Sequence, residues 1–163
     1  MKYAIVFATN TGNTKLLADT VKSNFNDEDI IYFGSPNDKS LDADIIYLGF
    51  WTNMGTCNDE IKEYIKTLTN QKIFLFGSAG FLDDNYKLKI INNIKNLLPS
   101  ECELIGSFMC QGKMRDSVKE RYLDAIQKGI KVDLNKMLLK NFEEALKHPS
   151  EEDLKELIQE INK

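Results

Sequence analysis

Residues Thr9, Asn10, Thr11, Gly12, Asn13 and Thr14 join an apolar run, Ala4 to Ala8, directly to a segment with helical spacing at Leu16, Leu17, Val21 and Phe25. A strand that ends in hydroxyl-bearing and glycine residues and then opens a helix leaves backbone N–H groups unpaired at the positive end of that helix. The chain here is suited to receive an anion. Asn13 or a neighbour can cap the helix. The loop contains no lysine and lacks the further glycines of a dinucleotide fingerprint. That excludes both the G-x-x-x-x-G-K-[ST] loop of nucleotide hydrolases and the G-x-G-x-x-G pattern, and it favours a monophosphate. An ordinary polar βα turn can carry the same residues, so the rest of the chain must decide.

Apolar β-rich runs recur at 3–8, 30–33, 45–50, 72–76 and 103–109, with helical periodicity between them. This alternation predicts a parallel sheet covered on both faces. The runs at 45–50 and 73–76 are almost uniformly apolar, as central strands are, whereas 30–33 is short, follows Asp27, Glu28 and Asp29, and reads as an edge. Apolar residues at Ile61, Tyr64, Ile65 and Leu68, and at Leu88, Ile91, Ile94 and Leu98, predict helices over 59–68 and 86–98. Right-handed crossovers then give an α/β fold with a doubly wound five-stranded parallel sheet in the order 2-1-3-4-5.

Beyond the fifth strand, 117–127, 135–147 and 151–162 all have helical spacing with no strand between them. Ser150 followed by Glu151, Glu152 and Asp153 reads as an N-cap with an acidic first turn, so 151–162 is the helix expected to cover the sheet. Residues 111–149 then form a helical insertion within a single domain spanning 1–163. With 42% hydrophobic residues the chain can bury one good core. The balance of 21 basic against 25 acidic residues gives a net charge of -4 with no basic block, which argues against a nucleic-acid partner. No cleavable leader and no run of about 18 apolar residues occurs, so no membrane association is expected and the cytoplasm is the expected location. Cys57, Cys102 and Cys110 are odd in number and form no C-x-x-C pair, which predicts reduced thiols and no metal site.

In doubly wound sheets ligands lie beyond the carboxyl ends of the strands, where the order reverses. Three loops should meet there: the 9–14 loop, a second holding Trp51, Thr52, Asn53, Met54, Gly55 and Thr56, and a third holding Gly77, Ser78, Ala79, Gly80 and Phe81. Small residues in the third loop let backbone approach a ligand closely. Trp51, the single tryptophan, is read as a loop residue. A flat aromatic ligand fits this pair, although an indole at a core margin is the other reading of Trp51.

With the 9–14 loop, Gly49-Phe50-Trp51 and 76–81 in these places, the chain resembles the flavodoxin family over most of its length. The resemblance implies noncovalently bound FMN. Its phosphate would lie on Thr9, Asn10, Thr11, Gly12, Asn13 and Thr14, and Trp51 would cover one ring face, with Thr52, Asn53 and Met54 in the same loop. Ser78, Ala79 and Gly80 would follow the ring edge, and the other face would be taken by Phe81, by Tyr86 or by no side chain. The resemblance also implies that Gly55 supplies the freedom for a backbone carbonyl to turn toward the flavin on reduction. The implied function is electron transfer between a reductase and an acceptor enzyme, with no catalytic acid or base. One departure is that Gly80-Phe81-Leu82 lacks the acidic residue common after this glycine.

Cys110-Gln111-Gly112-Lys113 and His148-Pro149 with Glu152-Asp153 are similar to flavodoxin-like proteins of anaerobic bacteria, among them companions of bilirubin reductase. That similarity implies an alternative, flavin-dependent binding and reduction or degradation of a tetrapyrrole, haem or bilin. A flavin-free protein-binding module is a third reading. Other signals point elsewhere only weakly. Ala8-Thr9-Asn10 and Phe50-Trp51 lack the acidic residues of a response regulator. Cys110 to Arg115 is one residue short of the C-x5-R phosphatase spacing. His148, the single histidine, reads as a cation near a helix end before it reads as a haem ligand.

Overall fold

The computed structural model describes residues 1–163. Six strands occur along the chain: β1 (Tyr3–Phe7), β2 (Ile30–Gly34), β3 (Ile45–Asn53), β4 (Thr56–Cys57), β5 (Lys72–Ala79) and β6 (Glu103–Gln111). Five run parallel in the order β2-β1-β3-β5-β6, with β2 at one edge, and the two-residue β4 pairs antiparallel with the end of β3. With β4 set aside, this is the 2-1-3-4-5 order expected from the sequence. The helices are α1 (Asn13–Ser23), α2 (Asp59–Ile65), α3 (Asp84–Lys95), α4 (Asp116–Gln127), α5 (Val132–Ala145) and α6 (Glu151–Ile161).

Strand alternation divides the core between the two faces of the sheet. Ala4 and Val6, Ile46 and Leu48, and Ile73 and Leu75 point to one side, where they meet Ile61 and Ile65 of α2 and Ile90 and Ile94 of α3. Ile5 and Phe7, Tyr47, Phe74 and Phe108 point to the other, against Leu17, Ala18 and Val21 of α1 and Leu157 of α6. Between the two central strands, each phenylalanine is paired with a glycine. Gly49 is in register with Phe76, and Phe50 with Gly77. A Cβ on Gly49 would stand 2.5 Å from the Phe76 ring, and one on Gly77 would stand 2.5 Å from the Phe50 ring. Phe50 joins the cluster under α2 and α3, whereas Phe76 joins the cluster under α1 and α6.

The strands run further than their apolar stretches. Pairing continues through Trp51↔Ser78 and Ala79↔Gln111, so Trp51, Thr52 and Asn53 belong to β3 and Gly77, Ser78 and Ala79 to β5, where loops were expected. Ladder hydrogen bonds carry these strands past the end of their uniformly apolar stretches. In α3 the inward face carries Ile90, Ile91 and Ile94, while Leu88, expected inside, is exposed. Leu88 lies two residues from Ile90, about 200° around a helix of 3.6 residues per turn.

After β6, α4 and α5 lie against each other; α4 buries no residue and α5 buries only Phe142 and Ala145. The chain then returns in α6, which packs on α1 and β6. A capping box starts α6: the Ser150 hydroxyl accepts from Asp153 N at 3.2 Å, and Asp153 Oδ2 accepts from Ser150 N at 2.7 Å. Ser150→Ala is expected to cost about 1 kcal/mol. In a thermal melt that corresponds to a drop of roughly 2–4 °C for a chain of this size. No helix is long and apolar enough to cross a membrane.

Candidate functional site

Helix α1 begins on Gly12, whose φ of 90° places it in the left-handed region that glycine tolerates, and no side chain caps the helix. Its first-turn N–H groups are therefore left as donors at the positive helix end. The loop before it is braced internally: Thr9 Oγ1 accepts from Gly12 N at 3.1 Å, and Asn13 Nδ2 donates to Thr11 Oγ1 at 2.9 Å. Thr14 is buried, and its hydroxyl faces the Phe50 carbonyl at 3.4 Å, anchoring the helix start to β3.

These donors open onto a cleft of about 190 Å³ at the carboxyl ends of the strands. The first loop contributes Asn10, Thr11 and Asn13, and β3 contributes half-buried Trp51 and Thr52. Ser78 and Ala79 of β5 and the following Gly80 complete that side. Thr52 Oγ1 donates to Ser78 O at 2.9 Å and ties the two strand ends together. A larger hollow of about 520 Å³ lies at the opposite end of the sheet, between Ala43 and Lys72. It sits at the amino ends of β3 and β5, away from the convergent loops where ligands of such sheets bind.

The remaining expected positions lie outside the cleft lining. Thr9 and Gly12 are exposed and are tied to each other by the Gly12 N–H to Thr9 Oγ1 bond, whereas Thr14 is buried beneath the loop. Asn53 ends β3, and Met54 and Gly55 form the turn into β4, both with positive φ (52° and 82°). Two positive φ values at the centre of a two-residue loop match the tight hairpin turn that follows strand twist. Met54 is 95% exposed in this strained conformation, while the Gly55 carbonyl accepts from Asn93 Nδ2 at 2.8 Å. Phe81 is exposed, with its ring centroid 6.2 Å from that of Tyr86.

Sequence reasoning did not place the segment between β6 and α4 in the site. Gly112, Lys113, Met114 and Arg115 fold across the cleft, joined by Val118 of α4. The Lys113 carbonyl accepts from Thr11 Oγ1 at 3.2 Å and from Asn13 Nδ2 at 2.9 Å, and Arg115 donates to Asn10 Oδ1. Gly112 packs on Asn13, and Met114 lies against Gly80. Gln111 and Asn141, from β6 and α5, both donate to the Gly80 carbonyl, at 2.9 and 3.1 Å. A glycine and two cations directly after the last strand were the legible signal.

The lining contains Lys113 and Arg115 and no carboxylate. Asp83, adjacent in sequence to the third loop, instead caps α3 by accepting from Tyr86 N at 2.7 Å. Asn13 is 8% exposed, and its Oδ1 has no hydrogen-bond partner. A buried acceptor without a donor costs free energy, so this oxygen suits a ligand that brings hydroxyl groups. Burial, followed by the nearby carboxylates of Asp153 and Glu156, pushes the Cys110 thiol well above its ordinary range. It therefore stays protonated, which removes the thiolate that phosphatase chemistry needs. His148 Nδ1 is 2.6 Å from Asp153 Oδ2 at the start of α6, and His148 does not line the cleft.

A family model described as a flavodoxin domain matches residues 4–162. The chain is 32% identical over 161 residues to the flavodoxin-like domain-containing protein BilS of Clostridioides difficile (strain CD3), a match covering 96% of this chain and 92% of the relative. It is 34% identical over 172 residues to the protein of the same name from Clostridium symbiosum (strain WAL-14163), covering 94% and 90%. Among solved structures, a flavodoxin of Streptococcus pneumonia TIGR4 superposes with a TM-score of 0.59 at 22% identity, covering 99% of this chain and 96% of that one. A flavoprotein from Lactobacillus acidophilus NCFM, solved in complex with FMN, superposes with a TM-score of 0.53 at 13% identity, covering 66% and 92%.

Proposed function

Because the chain belongs to the flavodoxin domain family, we propose that it binds FMN noncovalently in the cleft at the carboxyl ends of β1, β3 and β5. It then carries electrons between a reductase and an acceptor enzyme. The observation that supports this reading most is the uncapped start of α1 at Gly12, opening beside the unpartnered Asn13 Oδ1 onto a cleft that holds Trp51 and no carboxylate. Those residues fit a ligand with an anionic end, a hydroxylated middle and a flat aromatic head.

In this reading the first-turn N–H groups of α1 hold the phosphate, Thr11 positions the loop through its bond to the Lys113 carbonyl, and Asn13 Oδ1 accepts from a ribityl hydroxyl. Thr9 and Thr14 keep the loop in shape. Trp51 lies along one ring face, while the backbone of Ser78, Ala79 and Gly80 follows the ring edge. FMN, when bound, supplies the electron-accepting ring; the chain binds it, orients it, limits water around it and leaves an edge accessible. No side chain is required as an acid or base. In this reading residues 1–163 form one domain, the stretch expected as an insertion at 111–149 starts only after Gln111, which ends β6, and the protein works in the cytoplasm. Given the resemblance to companions of bilirubin reductase, the acceptor is a tetrapyrrole-reducing enzyme.

The test is a coupled assay with the full chain loaded with FMN, a flavodoxin reductase and NADPH as electron source, and cytochrome c as a surrogate acceptor. Cytochrome c reduction that depends on both the chain and FMN supports the carrier role. An FMN-loaded chain that the reductase cannot reduce, or that cannot reduce cytochrome c, contradicts it.

A further inference from the structure

Resting on the FMN reading above, we propose that Arg115 is the counter-charge for the cofactor's phosphate. On this view the β6–α4 segment makes the site selective for a phosphate monoester. The 9–14 loop offers only neutral donors, whereas a phosphate monoester carries close to two negative charges at neutral pH. The cation comes from more than 100 residues later in the chain. Arg115 donates to Asn10 Oδ1, and the Lys113 carbonyl two residues earlier accepts from both Thr11 and Asn13. Residues 113–115 are thus registered against 10–13 by three hydrogen bonds. These hold the guanidinium beside the uncapped start of α1.

The charge pattern is local. The whole chain carries a net -4, yet the cleft lining holds two cations and no carboxylate to neutralise them. A guanidinium has five donors in a planar fork that matches phosphate oxygens two at a time, and its contact with a neutral amide oxygen leaves most of them free. Two further observations mark this as a binding region and not merely a helix end. Asn13 is more than nine-tenths buried in the lining with Oδ1 unpartnered, and Gly112 lies so close to Asn13 that a Cβ would meet its Nδ2 at 2.4 Å. Because Arg115 is exposed, its attraction for the phosphate should weaken as salt rises.

The experiment is a flavin-fluorescence titration of FMN and of riboflavin into the full chain, Arg115→Met and Arg115→Lys, each at low and at physiological ionic strength. Arg115→Met is expected to weaken FMN binding roughly ten- to a hundredfold. It should leave riboflavin within about twofold and flatten the salt dependence of FMN binding. Arg115→Lys should keep the salt dependence but recover only part of the affinity, since an ammonium cannot make the forked contact. Equal losses for FMN and riboflavin, or no loss for either, overturn the proposal while leaving FMN binding in place. A wild-type chain that takes up no FMN removes instead the reading on which the proposal rests.

Discussion

Gly49→Ala is expected to lower stability by about 3 kcal/mol, the upper end of the usual overpacking range. At roughly 2–4 °C per kcal/mol for a chain of this length, the melting temperature should fall by about 6–12 °C. The added methyl would stand 2.5 Å from two ring carbons of Phe76 and 2.8 Å from Phe7 Cβ. Phe76 is fully buried, and Phe7 is nearly so. Neither can move aside without displacing β1 or β5, the strands that flank β3 on both sides. Trimming the obstacle should help, so Phe76→Leu combined with Gly49→Ala is expected to lose less than the sum of the single losses in a double-mutant cycle. Additive losses would show that the glycine is required for a reason other than the ring it faces.

The second large effect is expected at the cofactor. Gly112→Val should lower FMN affinity by about a hundredfold or more, corresponding to the loss of one to two hydrogen bonds to a charged group. A Cβ at Gly112 would meet Asn13 Nδ2 at 2.4 Å, Asn13 Cγ at 2.8 Å and Ser78 Cβ at 3.1 Å. Asn13 must then leave its bonds to Thr11 and to the Lys113 carbonyl, and the 112–115 segment loses its register on the loop. Some fold stability goes with it, roughly 1–3 kcal/mol. Melting the apo variant separately keeps that loss apart from the binding change. By contrast, a Cβ on Gly80 would meet the flexible end of Met114, so Gly80→Ala should be better tolerated. Unchanged FMN affinity in Gly112→Val would mean that this segment lies outside the cofactor's site.

The sheet was legible because its information is local. Uniform apolar runs at 45–50 and 73–76 mark strands buried on both faces, and short helical stretches between runs dictate parallel pairing. The strand ends were not legible. Trp51, Thr52, Ser78 and Ala79 read as loop because the uniformly apolar runs stop at Phe50 and Phe76 and turn residues follow closely, Asn53 and Gly55 after the first, Gly77 and Gly80 after the second. Long-range ladder bonds to β5 and β6 keep them extended. Sequence spacing traces Leu88 onto the buried face, where Ile90 lies instead, because a helix's apolar stripe can be drawn through either residue until the packing partner is known. The 112–115 segment presents the same difficulty at greater range: contacts such as Arg115 to Asn10 span more than 100 residues, and no periodicity records them. The 9–14 loop stood out because strand, glycine and helix start are consecutive.

The measurement that bears most directly on the central claim is a parallel titration of FMN and riboflavin into the purified full chain, followed by quenching of flavin fluorescence. A phosphate held at the start of α1 and a ring held beside Trp51 predict saturable one-to-one quenching by FMN. Riboflavin should bind at least about tenfold more weakly. Equal affinity for the two flavins, or no saturable quenching by either, would contradict the account.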